Sequence, residues 1–170
     1  MTRSVTVAGA SDPSRTTGRP WIPLLTVLII LIAICTAGAW AFGYRLNLQT
    51  AAVPIPASAA SPDDVVRAYT SAYNHRDFDA MDTLYPSQRD FHQAYRHRAI
   101  GTMSDLKITG SKHDTTYGEH SHYWAVDVTL NYTDMQGVDI GYPPGPNAWT
   151  YYLQRLGPNR AWRIVDHGVG

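Results

Sequence analysis

From residue 21 to residue 42 the chain carries no charged side chain, and positions 22–34 are Leu, Ile and Val except for Pro23, Thr26 and Ala33. An uncharged apolar run of this length has few places to go. At ~1.5 Å per residue a helix over those positions is ~33 Å long, against a bilayer hydrocarbon core of ~30 Å. Trp21, Trp40 and Tyr44 stand at its two ends, where amphipathic rings prefer the headgroup layer, and Pro23 falls in the first turn, where no helix hydrogen bond is lost. The run predicts a single membrane-spanning helix over residues 21–44.

Arg3, Arg15 and Arg19 precede the run and Arg45 follows it closely. Basic residues are retained on the cytoplasmic side, so the expected topology is a cytoplasmic tail (1–20), one span of the plasma membrane, and an extracytoplasmic remainder. The alternative is a cleaved signal peptide, because Ala37-Gly38-Ala39 and Ala39-Trp40-Ala41 match the small-x-small cleavage pattern; a long polar segment before an over-long apolar run argues against it. Cys35, the chain's one cysteine, follows Ile34 rather than a small residue, which fits a buried apolar side chain better than a lipidation site. Ala33, Ala37 and Ala41 recur at four-residue spacing, which would let two spans approach closely, so a homo-oligomer stands among the expected partners.

The tail 1–20 is polar, has no periodic apolar face and is expected to be disordered. Residues 45–60 form an Ala/Pro-rich linker, which predicts an extended and poorly packed tether. Of 170 residues, 14 are basic and 14 acidic. A nucleic-acid binder would need a clustered basic footprint, so no nucleic-acid partner is expected. One thiol makes no intrachain disulfide, and an outer domain must cohere by its core alone.

The remaining residues, 61–170, show helices and then strands. Ser61-Pro62-Asp63-Asp64 is a helix start, with a hydroxyl cap, proline in the first turn and acids facing the positive end of the helix dipole. Val65, Val66, Tyr69, Ala72 and Tyr73 continue at three- and four-residue spacing to about His75. Asp77 caps a second helix, Phe78 to Leu84, and Ser87 opens a third that runs to about Ile100 with Gly101 as its stop; Phe91, Tyr95, Ala94 and Ala99 make its face. Beyond Gly101 the period becomes two: Leu106 and Ile108; then His122, Trp124, Val126, Val128, Leu130 and Tyr132; then Trp149, Tyr151 and Leu153; then Trp162 and Ile164. The expected fold class is α+β, three helices packed on a curved four-stranded antiparallel sheet. Residues 142–146, Tyr-Pro-Pro-Gly-Pro, read as a stiff exposed loop between strands.

The segments Pro62-Asp63-Asp64-Val65-Val66-Arg67-Ala68-Tyr69, Asn74-His75-Arg76-Asp77-Phe78-Asp79-Ala80-Met81 and Ala161-Trp162-Arg163-Ile164-Val165-Asp166 resemble the nuclear-transport-factor-2-like superfamily, a cystatin-like cone of curved sheet around a long N-terminal helix. With a single anchor and an Ala/Pro tether in front, the chain is similar to the actinobacterial single-pass proteins associated with mammalian-cell-entry (Mce) lipid transporters. It is also similar to anchored domains of type IV secretion and conjugation machines. The resemblance implies an interaction or assembly module of an envelope complex, with membrane lipid and other proteins as partners.

The same superfamily holds isomerases and cyclases that use a carboxylate in an apolar cone, assisted by tyrosine. Here the matching candidates are Asp166, in phase with Trp162 and Ile164, and Tyr69 or Tyr73 on the long helix, with His122 in phase with Trp124. As ligand-binding residues in such a cone the sequence offers Tyr69, Tyr73, Trp124, Tyr151 and Asp166. Fold alone does not transfer activity, Asp166 is also placed where a strand end meets solvent, and no catalytic residue is assigned. Asp127 shares the polar parity of Thr129 and reads as solvated. His120 and His122, with His113 across a turn at 114–119, can present three imidazoles to zinc. With Glu119 alone nearby and no thiol, they read as a solvated hairpin tip, and neither metal nor cofactor is expected. His75, His92, His97 and His167 are scattered and read as surface or cap residues.

Overall fold

The computed structural model describes residues 21–42, 44, 46–114, 122–133, 144–155 and 159–169. The cytoplasmic-tail expectation, His120, Glu119, and residues 142 and 143 of the proline-rich stretch lie outside them. The chain divides into two compact units, residues 1–37 and 38–170.

Helix α1, Trp21–Ala41, is the uncharged run. Its apolar side chains stand exposed, with Leu28 and Ile30 each 52% accessible. Thr36 returns its hydroxyl to the Ile32 carbonyl (2.7 Å), so this polar group needs no partner outside the helix. The helix is long and apolar enough to cross a membrane.

In the second unit, α2 (Pro62–His75) begins with a capping box. The Ser61 hydroxyl accepts the Asp64 N–H, and the Asp64 carboxylate accepts the Ser61 N–H at 3.0 Å. It ends where Arg76 turns left-handed at φ 59°. Val65, Val66, Tyr69, Ala72 and Tyr73 form its buried stripe. Helix α3 (Phe78–Leu84) is capped by Asp77, whose carboxylate accepts the Ala80 N–H. Pro86–Gln88 makes one 3-10 turn, and α4 follows over Arg89–Tyr95. The third helix therefore stops five residues before the expected end. The Asn47 side-chain amide donates to the carbonyls of Tyr95, Arg96 and Arg98, capping α4 from a distant part of the chain. Gly101 is no helix stop either: a Cβ there would overlap the Thr133 carbonyl, so the residue serves a close backbone crossing.

Strands β1 (Met103–Asp114), β2 (Tyr123–Tyr132), β3 (Gly145–Gln154) and β4 (Arg163–Val169) form one open antiparallel sheet in the order β1-β2-β3-β4. The fold is α+β, with α2 packed on one sheet face. Strand β3 starts inside the stretch expected to be a loop: Gly145 pairs Tyr132 and Pro146 pairs Asn131. Because the described part of β4 reaches only Trp149, Pro146 has one side without a strand partner among the described residues, where a missing N–H is tolerated. The linker is extended but not loose. Thr50 donates its N–H to the His75 carbonyl, Val53 donates to the Asp77 carboxylate, and Arg155 holds the Ser58 carbonyl. Asp77 thus serves α3 and the linker at once, a double use that no local sequence pattern displays.

Candidate functional site

The space between α2 and the sheet is where a cone-shaped domain would hold a ligand. Here it is filled by side chains: Tyr69, Tyr73, Tyr132, Trp149, Tyr151 and Ile164 are all at most 5% exposed. Tyr69 meets Tyr85 and Tyr151 edge-on, and Trp149 meets Tyr132 at 5.7 Å. The Tyr73 and Tyr132 hydroxyls are 3.4 Å apart.

Of the sequence-derived ligand residues, Tyr69, Tyr73 and Tyr151 come together in this interior. Trp124 does not join them. It is half-buried near the start of α2, donating its indole N–H to Ser111, which in turn donates to the Asp63 carboxylate, and it packs edge-on against Trp162. Asp166 is exposed, and its carboxylate accepts the N–H of His167. The reason is a β-bulge. Tyr152 pairs Asp166 whereas Leu153 pairs Ile164, so Val165 is an extra residue and the inward parity passes from Ile164 to His167. His167 stacks on Tyr151 (5.8 Å, 26°) and shares a hydrogen bond of 2.9 Å with the Tyr85 hydroxyl. His122 is exposed. Asp127, read as solvated, is half-buried and accepts the Thr150 hydroxyl at 2.7 Å.

The most concentrated polar chemistry lies on the helices, around a histidine whose sequence position suggests a surface or cap residue. His92, on α4, is 1% exposed. Its Nδ1 lies 2.8 Å from the Asp82 carboxylate and its Nε2 lies 3.3 Å from the Tyr69 hydroxyl. Gln93 donates to the other Asp82 oxygen at 2.8 Å, and Arg96 approaches it at 3.9 Å. Burial pushes the His92 pKa below its ordinary 6.5, opposed by Asp82. It pushes the phenols of Tyr69 and Tyr73 well above 10. The consistent assignment is a neutral imidazole donating from Nδ1 to Asp82 and accepting the Tyr69 O–H at Nε2. The one legible hint was negative: His92 sits one position after Phe91 on a helix whose apolar stripe was otherwise thin.

An Asp–His–Tyr set of this kind has the parts of a proton relay, but each donor is used on a neighbour and the imidazole is sealed from solvent. What it does is fix α4 to α3 and α2, as a satisfied buried polar network does. Among the described residues, no group of three or more His, Cys, Asp or Glu is placed to hold a metal ion. The polar openings lie elsewhere. One open cleft of about 400 Å³ runs between the 3-10 turn and β4, lined in part by Ser87, Arg160, Arg163 and Ile164. Another of about 500 Å³ lies beside the linker, lined in part by Leu46, Leu48, Asn74 and Arg76.

No protein-family model and no curated protein matches the chain. Among solved structures, the chain is similar to a SEC-C motif containing protein from Rhodopseudomonas palustris, determined in solution. The TM-score is 0.48 at 20% identity, over 66% of this chain and 81% of that one. No functional argument follows from so slight a likeness.

Proposed function

We propose that the chain is a single-pass protein of the bacterial plasma membrane whose outer domain is a non-catalytic interaction or assembly module of an envelope machine. The Mce-type lipid transporter is the machine its sequence resemblance favours, and a type IV secretion or conjugation complex is the alternative. On this reading the sheet curves around α2 as in the nuclear-transport-factor-2-like cone, and the register shifts in β1 and between β3 and β4 supply bends of the required kind. The observation that carries the reading is how the domain uses its polar groups. Tyr69, His92 and Asp82 bond one another in the interior, Asp166 stands outside it, and aromatic side chains occupy the space a substrate would need. This packing supports a non-catalytic module over a pocket for a small apolar ligand or an isomerase-like substrate.

Two measurements on protein extracted in mild detergent test the reading: particle mass, and in-cell crosslinking from the outer sheet face at Tyr123 and Tyr152. The expected result is a particle larger than one chain with the same crosslinked partner in each of several detergents. A lone monomer without crosslinks in every one would overturn it.

A further inference from the structure

Four apolar side chains recur at every second position where the chain leaves α1: Phe42, Tyr44, Leu46 and Leu48 are 82%, 50%, 86% and 71% exposed. A water-facing surface rarely carries such a stripe without a partner. The stripe is tied down rather than trailing. Tyr44 donates its N–H to the Ala39 carbonyl in the last turn of α1 and forms a bridge with Arg98, and Asn47 bonds the carbonyls at the end of α4. All of these residues belong to the second unit. Arg98 lies exposed over the Tyr44 ring at 5.7 Å, and the half-buried Arg76, whose guanidinium donates to the Tyr73 and Ile100 carbonyls, forms part of the wall of the cleft beside Leu46 and Leu48. Among the described residues neither guanidinium is paired with a carboxylate.

We propose that this surface, the exposed side chains of Phe42, Tyr44, Leu46 and Leu48 flanked by Arg98, sits in the headgroup layer of the membrane, its occupant being anionic phospholipid. The inference rests on reading α1 as a membrane span. The chain itself supplies the argument for lipid: the stripe follows immediately on the end of the span, and exposed apolar side chains beside the exposed cation of Arg98 match a layer that is apolar below and negatively charged above. The same arrangement explains why the linker is bonded along the domain: it holds the domain down on the lipid surface instead of spacing it away. Arg98 over Tyr44 places a cation beside an interfacial ring, with the charged head free to remain in the wet part of the layer.

The test uses the full-length chain with Cys35→Ser and one new cysteine at a time, Leu46→Cys, Leu48→Cys, Ile30→Cys or Lys112→Cys, each labelled with a small fluorophore. Proteins are reconstituted into vesicles of phosphatidylcholine and phosphatidylglycerol with or without brominated acyl chains. Leu46→Cys and Leu48→Cys labels are expected to dim by about twofold or more, as groups buried ~5–10 Å into the boundary do, with Ile30→Cys dimmed further and Lys112→Cys unchanged. If Ile30→Cys is quenched while positions 46 and 48 behave like 112, the docking is overturned and the span stands. If Ile30→Cys is not quenched either, the span reading fails and the docking with it.

Discussion

His92 Nδ1 lies 2.8 Å from Asp82 Oδ1, with the imidazole side chain wholly inaccessible and the carboxylate 9% exposed. The contact joins α3 to α4, and the far side of the ring reaches α2 through Tyr69. Three helices that share little sequence signal are thereby set in one register. Replacing Asp82 by Ala leaves the His92 N–H and the Gln93 amide without their acceptor and is expected to cost about 1–3 kcal/mol. Asp79→Ala removes only an exposed ion pair to Arg96 and is expected to cost no more than about 1 kcal/mol. Urea midpoints of the two variants at pH 7.5 measure the difference; equal midpoints would contradict the structural role given to Asp82.

Burial lowers the pKa of both His92 and His167 below the ordinary 6.5. The unfolded chain then takes up these protons first as pH falls, so stability is fully present above about 6.5 and declines as pH drops from there toward the folded values. Denaturation between pH 7.5 and 5.5 is expected to show falling stability, with a shallower slope for His92→Gln. A flat profile in the wild-type chain would mean that the imidazoles are not buried neutral.

Gly101 faces the Thr133 backbone, and a methyl group there would overlap the carbonyl. Since backbone cannot swing away as a flexible side chain can, Gly101→Ala is expected to destabilise by about 1–3 kcal/mol. Thermal unfolding of the variant against Gly38→Ala, where a Cβ meets nothing within 4 Å, separates this packing effect from the general consequence of losing a glycine.

Asn47 holds three carbonyls at the end of α4. Asn47→Ala is expected to release the linker, raising amide hydrogen exchange at residues 95–98 and 46–50 by about tenfold, the equivalent of ~1.4 kcal/mol in local opening. Unchanged exchange there would show that the other linker bonds suffice.

Local sequence stops foretelling this fold where chain segments distant in sequence meet. The start of α2 was legible because Ser61, Pro62 and Asp64 act within one turn, and α3 because Asp77 caps its own helix. Strands β2 and β3 announced themselves by alternation. Asp166 falls in phase with Trp162 and Ile164 only if a period of two runs without a bulge, and the extra Val165 that transfers the inward position to His167 is fixed by pairing with Tyr152 and Leu153. His92 looked like a surface residue because its partners, Asp82 and Tyr69, are ten and 23 residues away. Pro146 looked like a loop because its open side depends on where β4 stops. The linker's bonds to α4 and α2 likewise have no local signature.

With α1 as the proposed span, the proposed topology puts residues 46–170 on the extracytoplasmic side. A reporter that is active only in the oxidising extracytoplasmic space, fused after Gly170, measures this directly when combined with alkaline carbonate washing of the membranes. The basic residues Arg3, Arg15 and Arg19 before α1, against Arg45 after it, predict an active reporter that stays in the washed membrane with the N-terminal tail attached. An inactive fusion in a well-expressed protein, or a reporter released from the membrane with a mature end near Trp40, would contradict it.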